Sequence, residues 1–199
     1  MQNALAHISV ADYLAGELRS DVRHEYIDGE IYAMSGASRR HSQIVMNLAS
    51  TAHGKARGTG CTVFSQSMKV RIDSLNTFYY PDVTASCDPS DNDQYALTRP
   101  CFVIEVLSPT TADIDRREKR QNYALLPSLR EYVLVDQDRR RVDVYRREDS
   151  GVFTGIRIEG SGSLHLSCLN LDISLDDIYY GVELPTTISE PEPPAYAVA

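Results

Sequence analysis

The chain contains few cysteines, and they are not spaced as zinc ligands usually are. No two of them form a C-x-x-C pair and none has a histidine partner at zinc-finger spacing; they are Cys61, Cys87, Cys101 and Cys168. Cys101 begins an apolar segment. The pattern predicts that the cysteines are small core residues in a reducing compartment.

Long apolar runs are also missing. No stretch approaches the roughly 18 residues of a transmembrane helix. The segment from Met1 to Tyr13 lacks both the basic start and the uninterrupted apolar stretch of a secretory signal. We therefore expect a soluble, cytoplasmic protein that does not associate with membranes.

Basic residues are fewer than acidic ones. The chain has 20 Lys and Arg and 28 Asp and Glu, which gives a formal net charge of −8. This balance opposes indiscriminate adhesion to nucleic acid, which depends on clustered basic residues. Two basic clusters, at 116–120 and 139–141, are interleaved with acids, a pattern typical of solvated faces. Any contact with nucleic acid must therefore be local or assisted by a bound cation.

The length of 199 residues fits one domain. Four of the nine prolines lie at the C-terminal end. We predict a single domain over residues 1–184 and a Pro-rich, flexible tail at 185–199.

Apolar periodicity predicts an α/β fold. An N-terminal helix is expected at 10–18 with Ser9 as its N-cap. A hairpin follows around Asp28-Gly29, and the clearest helix runs from 38 to 55. A polar helix is predicted to begin near residue 111 or 113. Strands are predicted at 61–66, 68–72, 78–85, 101–107, 131–135, 141–146 and 152–158.

The most informative residue is Glu105, which interrupts the apolar segment Cys101–Leu107. A carboxylate buried in such a segment is costly unless it is neutralised, paired or bound to a cation. Asp82 lies in a second strand-like segment upstream. Two carboxylates on adjacent strands can hold a hard divalent ion such as Mg²⁺, so we interpret Asp82 and Glu105 as metal ligands.

A lysine near such an ion could orient a water or balance charge on a phosphate. Lys119 is the candidate, since it follows the Glu105 strand on a predicted helix. Asp115 lies one turn before it and Tyr123 one turn after it, so the three share a face. The alternative is an exposed Asp115–Lys119 ion pair that contributes little.

Each of the other candidates also has a structural alternative. Asp82 could simply end its strand, and Glu105 could form a buried ion pair. His41, on the apolar face of its helix, could be a hydrogen-bonded core residue. Glu25 could be a surface charge of the hairpin.

The order of the motifs resembles the Uma-two family of the PD-(D/E)XK, or restriction-endonuclease-like, superfamily. The pieces that match extend over about residues 9 to 180. In chain order they are the hairpin 25–30, His41 with Ile44, Asn47 and Leu48, Tyr80-Pro81-Asp82, 103–110, Asp115 to Tyr123, and 127–136.

The resemblance implies a restriction-endonuclease-like core in the order α-β-β-β-α-β, with a mixed central sheet flanked by helices. It implies that Asp82 and Glu105 bind the metal and that Glu25 or His41 completes the site. The usual lysine two residues after the glutamate is replaced here by Leu107. A helix lysine is thought to substitute in this family, and Lys119 occupies that place.

Together these observations predict an Mg²⁺- or Mn²⁺-dependent endonuclease that hydrolyses DNA. Lys119 would assist the attacking water, and Tyr123, Glu25 and His41 would shape or support the site. A homodimer is expected because two cuts in a duplex need two active sites. The alternatives are a catalytically inactive binding or regulatory protein of the same fold, and a structural protein whose acids form buried ion pairs.

Overall fold

The computed structural model of the protein describes residues 7–109 and 111–185. The strands are β1 (His24–Ile27), β2 (Glu30–Ala33), β3 (Thr62–Ser65), β4 (Lys69–Ile72), β5 (Thr77–Tyr79), β6 (Val83–Ser86), β7 (Ala96–Leu97), β8 (Phe102–Leu107), β9 (Glu131–Asp136), β10 (Arg141–Arg147), β11 (Phe153–Glu159), β12 (Ser163–Leu166) and β13 (Leu171–Ser174). The α-helices are α1 (Val10–Glu17), α2 (Arg39–Ala56), α3 (Ala112–Ile114), α4 (Arg120–Tyr123) and α5 (Leu175–Ile178), and a π-helical turn (Asp115–Lys119) joins α3 to α4.

Two sheets organise the fold. One has the order β2-β1-β5-β4-β7, and the other has the order β11-β10-β9-β8-β6-β3. In the six-stranded sheet, β8 and β9 run parallel and the remaining neighbours are antiparallel. This confirms the predicted mixed sheet flanked by helices.

The local signals in the sequence act as expected in the first third of the chain. Ser9 caps α1 by accepting a hydrogen bond from the backbone N–H of Asp12, and Ser38 caps α2 in the same way. Asp28 and Gly29 both adopt positive φ angles, of 44° and 97°. A two-residue hairpin turn of type I′ needs this conformation at both central positions.

Strand β8 is buried on both faces, and its side chains alternate between two parts of the core. Phe102, Ile104 and Val106 pack in the cluster that contains the apolar face of α2. Val103 and Leu107 pack on the opposite face, in the cluster that contains Tyr123. Glu105 has the same parity as Val103 and Leu107, so its carboxylate faces the side of α4.

The strand predicted at 78–85 is in fact two strands in different sheets. β5 ends at Tyr79 and β6 begins at Val83, with Tyr80, Pro81 and Asp82 between them. Pro81 has no N–H to donate to a ladder and restricts the residue before it. Because of this break, Asp82 lies immediately before β6 and not inside a continuous strand.

The prediction for the cysteines is wrong for two of the four. Cys61 and Cys87 form a disulfide. They flank the Thr62–Ser86 pair of the antiparallel β3–β6 ladder, so the register places them opposite each other. Cys101 is a buried free thiol, as predicted, and Cys168 is a half-buried one. Spacing along the chain carried no sign of this cross-strand pairing.

The C-terminal third contains elements that were not predicted, namely the β12–β13 hairpin and α5. Apart from Pro185, the tail predicted at 185–199 lies outside the described residues. Among the helices that the structure describes, none has the length and apolar character needed to cross a bilayer.

Candidate active site

Asp82 and Glu105 meet where β6 and β8 pair. The register aligns Val83 with Ile104, which sets the two acids side by side. The backbone N–H of Val106 donates to Oδ2 of Asp82 over 2.7 Å. The backbone N–H of Asp82 donates to Oε2 of Glu105 over 3.4 Å. Both side chains are buried, with residue exposures of 8% and 4%.

Lys119 reaches this pair from the π-helical turn. Its Nζ lies 2.8 Å from Oε1 of Glu25, 3.3 Å from Oε1 of Glu105 and 3.4 Å from Oδ1 of Asp115. The Asp115–Lys119 pair therefore exists, but both residues are buried, in contrast to the exposed pair that was the alternative. We call Glu25, Asp82, Glu105 and Asp115, with Lys119 among them, the acidic cluster.

Glu25 enters the cluster from β1 and is not a free surface charge. Its Oε1 accepts one hydrogen bond from the ammonium of Lys119 and another, of 3.3 Å, from the backbone N–H of Tyr80. Glu25 pairs with Tyr32 in the hairpin register. The hairpin thus joins the five-stranded sheet to the acids of the six-stranded sheet.

His41 approaches Asp82 from the first turn of α2. Its Nε2 lies 3.1 Å from Oδ2 of Asp82, and its backbone N–H donates to the Ser38 side chain that caps the helix. Nδ1 of His41 is buried and has no hydrogen-bond partner among the residues that the structure describes. The helix cap therefore determines where this imidazole meets the cluster.

Tyr123 contacts the acidic cluster through the carboxylate of Glu105. Its hydroxyl donates to Oε1 of Glu105 over 3.4 Å, and the side chain is fully buried. Its ring packs against those of Tyr79 and Tyr132, with centroids 5.4 and 5.2 Å away. This packing fixes the position from which the hydroxyl reaches the carboxylate.

Sequence reasoning missed Gln66 and gave Asp115 only a pairing role. Nε2 of Gln66 donates to Oδ1 of Asp82 over 3.4 Å. Gln66 has a positive φ of 54°, and its backbone N–H donates to the carbonyl of Asp82. Its position at the end of the predicted strand 61–66 offered no chemical signal.

The cluster holds more negative than positive charge. The cluster contains four carboxylates and one ammonium, which contacts three of them, and all five side chains have little access to water. Burial raises the pKa of Glu105 well above its ordinary value, and Asp115, Asp82 and Glu25 raise it further, while Lys119 opposes the rise. Burial also raises the pKa of Asp115, again against the effect of Lys119.

Lys119 responds in the opposite sense. Burial lowers the pKa of Lys119, but the charges of Glu105, Glu25 and Asp115 outweigh burial and hold it well above its ordinary value. The amine is therefore a stable ammonium in this environment. Such a group can balance negative charge or orient a water, but it is a poor proton acceptor.

The residues present fit a hard divalent cation. Carboxylate oxygens are the preferred protein ligands of Mg²⁺, which commonly takes one or two of them and keeps waters for the substrate. Asp82 and Glu105 supply two such groups, and the excess negative charge of the cluster calls for a further cation. Asp115, the most buried of the four acids at 2% exposure, is already paired with Lys119.

Comparison with known proteins agrees with this architecture. A solved structure, described as that of a putative nuclease belonging to DUF820 from Anabaena variabilis, superposes with a TM-score of 0.66. The match covers 80% of this chain and 91% of that one at 16% sequence identity, so it supports the fold.

Two uncharacterised proteins of Synechocystis sp. are similar in sequence. One, slr1290, is 36% identical over 88% of this chain and 93% of its own length. The other, sll1609, is 32% identical over 70% of this chain and 81% of its own length. A family model described as Uma2, putative restriction endonuclease, matches residues 10–176. The chain therefore belongs to the Uma2 family of restriction-endonuclease-like proteins.

Proposed function

We propose that the protein is a metal-dependent endonuclease that hydrolyses DNA phosphodiester bonds. The observation that supports this most is the acidic cluster, in which Asp82 and Glu105 face each other across β6 and β8 with Lys119 beside them. Buried charges of one sign are rarely retained without a partner that neutralises them. A bound divalent cation is that partner in this proposal.

In the proposed mechanism, Asp82 and Glu105 hold Mg²⁺ or Mn²⁺. Such an ion polarises a phosphate oxygen and lowers the pKa of a bound water, which is the chemistry that diester hydrolysis requires. Backbone hydrogen bonds from Val106 and Asp82 orient the two carboxylates before any ion arrives. The site is thus organised in advance by the strand pairing.

Lys119 orients the attacking water and offsets the charge that develops on the phosphate. Its contacts with three carboxylates keep the ammonium in place and protonated. This role does not require the lysine two residues after Glu105, where Leu107 stands. Glu25 anchors Lys119, His41 and Gln66 hold Asp82, and Tyr123 holds Glu105.

The second candidate is a catalytically inactive binding or regulatory protein of the same fold. The observation that favours it is Leu107, a buried apolar residue at the position of the usual catalytic lysine. Such a protein would bind the divalent cation and DNA but would leave the phosphodiester intact. The two proposals therefore differ in cleavage and not in binding.

Nicking of supercoiled plasmid in the presence of Mg²⁺ or Mn²⁺ tests the proposal. We expect wild-type protein to nick the plasmid and EDTA to stop it. Asp82→Asn and Glu105→Gln should each reduce the rate by about 10²-fold or more, because each removes one of two ligands. Asp113→Asn, which alters an exposed acid near the same turn, should retain the wild-type rate.

Two results would contradict the proposal. Cleavage that survives both Asp82→Ala and Glu105→Ala would show that the acids are not required. Mn²⁺ binding without nicking by the wild-type protein would instead support the inactive member of the fold. Cleavage of both strands would further require two active sites, which predicts a homodimer detectable by sedimentation.

A further inference from the structure

All four cysteines of the chain converge at one end of the six-stranded sheet. Cys61 precedes β3, Cys87 follows β6 and Cys101 precedes β8. Cys168 lies in the 3₁₀ turn between β12 and β13. Four segments that are far apart in the sequence thus contribute one sulfur each, and we call this group the four-cysteine cluster.

The sulfur atoms are close enough to share one ion. The Sγ atoms of Cys87, Cys101 and Cys168 all lie within 4.8 Å of one another. Cys87 and Cys101 are 3.6 Å apart, and Cys61 is bonded to Cys87. A tetrahedral zinc with Zn–S bonds of about 2.3 Å places its sulfurs about 3.8 Å apart.

We propose that, once the Cys61–Cys87 disulfide is reduced, the four-cysteine cluster binds one Zn²⁺-like cation as a tetrathiolate. Cys₄ coordination is a common form of structural zinc site. Soft thiolates favour zinc over the hard cations that carboxylates prefer. The cluster would therefore hold a cation of a different class from that proposed for Asp82 and Glu105.

The chemistry balances in two steps. A dithiol reductant transfers two electrons to the Cys61–Cys87 bond, each sulfur takes up one proton, and the reductant becomes a disulfide. The cation then displaces four protons as the four thiols become thiolates.

The four-cysteine cluster is separate from the acidic cluster. Cys101 and Glu105 lie on the same strand segment, four residues apart, which is about 13 Å at the usual rise of a strand. Cys87 follows Asp82 by five residues, at the far end of β6. A cation at the cysteines would join β3, β6 and β8 to the β12–β13 hairpin without occupying the acids.

The test is a Co²⁺ titration of the full chain, reduced with a dithiol and then freed of it under argon. We expect one equivalent to bind with sulfur-to-cobalt charge-transfer absorption and the visible bands of a tetrahedral site. Zn²⁺ should bleach this colour. Cys101→Ser and Cys168→Ser should each weaken the absorption strongly, and the untreated disulfide form should not develop it.

The matched control is Asp82→Asn combined with Glu105→Gln, which should leave the charge-transfer absorption unchanged. Cys168 lies in a half-buried turn, so Cys168→Ser tests the proposal even if Cys101→Ser does not fold by circular dichroism. Four free thiols without cobalt–thiolate absorption would overturn it. Equal absorption in a folded Cys→Ser variant would also overturn it, as would a disulfide that a dithiol cannot reduce in the native protein.

Discussion

Among single residues, Glu105 has an unfavourable position in the protein without a bound cation. Its side chain is buried beside like charges, and Lys119 already divides its charge among three carboxylates. The raised pKa of Glu105 expresses this cost, since burial and neighbouring acids disfavour the ionised form. Such a cost at a functional position is common when binding of a ligand relieves it.

Glu105→Gln should therefore stabilise the metal-free protein at neutral pH, by about 1 kcal/mol or more, because an amide avoids the burial of one charge. Lys119 keeps Glu25 and Asp115 as partners in this variant. Urea unfolding in EDTA measures the difference. A less stable variant would contradict this explanation. Glu118→Gln, which changes an exposed glutamate of the π-helical turn, serves as the control.

The raised pKa of Glu105 also makes the stability of the protein depend on pH. A carboxyl whose pKa is higher in the folded state than its unfolded value binds its proton more tightly when folded. The metal-free wild type should therefore gain stability as pH falls through the folded pKa of Glu105 toward the ordinary value of 4.5. Glu105→Gln should lack this component of the gain, so the stabilities of the two proteins should converge as pH falls.

Lys119→Met should have the opposite effect on stability. Removal of the ammonium leaves three carboxylates without their shared partner, which should cost about 3–5 kcal/mol. Mn²⁺ should raise the melting temperature of the variant more than that of the wild type, because the ion replaces part of the lost positive charge. Cleavage should still be absent. Thermal melts with and without Mn²⁺, followed by plasmid nicking, measure both effects.

A smaller effect of Mn²⁺ on Lys119→Met than on the wild type would contradict this account, because it would mean that the ion and the lysine do not share the same carboxylates. Lys69→Met offers a comparison, since Lys69 is also buried but contacts the hydroxyl of Tyr80.

Among the helices and strands, two irregularities bring the residues of the candidate site together. The chain breaks at Tyr80-Pro81 between two sheets, and a π-helical turn interrupts the helix that carries Lys119. π-Turns inside α-helices are rare and occur frequently at functional sites. Here the turn buries Asp115 and Lys119 together while the next helical segment buries Tyr123.

Deletion of Arg117, an exposed residue of the π-helical turn, should restore regular α-helical geometry. The fold should survive, but Lys119 or Asp115 should rotate away from Glu105. We expect plasmid nicking to fall by about 10²-fold, the loss that a displacement of 1 Å can cause. Arg117→Ala, which keeps the turn length, is the control. Full activity in the deletion variant would show that the register of this turn is unimportant.

The elements also show what the sequence could predict. The helices capped by Ser9 and Ser38 and the Asp28-Gly29 hairpin follow from local signals, and the structure has all three. The division of segment 78–85 depended on which sheet each half joins. Apolar periodicity does not contain that information, since both halves are buried β-strands.

The candidate site illustrates the same limit. The charge of Glu105 within an apolar strand pointed to a special environment from the sequence alone. The meeting of Asp82 and Glu105 followed from the expectation that their strands are adjacent, which the β6–β8 ladder shows. Gln66 also contacts Asp82, and it does so from a left-handed backbone conformation that the sequence did not predict. The cysteines come together because distant segments of the chain pack against each other. Spacing rules for short motifs do not detect such contacts.

At the scale of the whole molecule, the acidic net charge shapes how DNA could bind. The arginines at 139–141 are paired with acids: Arg139 and Arg141 with Asp136, each over 3.1 Å, and Arg140 with Asp176. The sequence predicted a solvated face here, and Arg139 and Arg140 are indeed exposed. Each of these arginines therefore already contacts a carboxylate.

DNA affinity should consequently depend on the divalent cation more than on basic residues. With Ca²⁺ in place of Mg²⁺ to prevent cleavage, we expect affinity for a short duplex to rise by about tenfold or more over EDTA. The slope of log K against log salt should stay well below that of proteins that contact about 6–10 phosphates. Fluorescence anisotropy measures both quantities. Equal affinity in EDTA and Ca²⁺ would contradict the prediction, and Asp82→Asn should remove the Ca²⁺ effect.

Anomalous scattering from a crystal soaked with Mn²⁺ would show whether Asp82 and Glu105 bind a metal ion. We predict one peak within ligand distance of the carboxylates of Asp82 and Glu105, with the ammonium of Lys119 close by. A map without a peak between these two acids, with their oxygens engaged by Lys119 and backbone N–H groups alone, would contradict it.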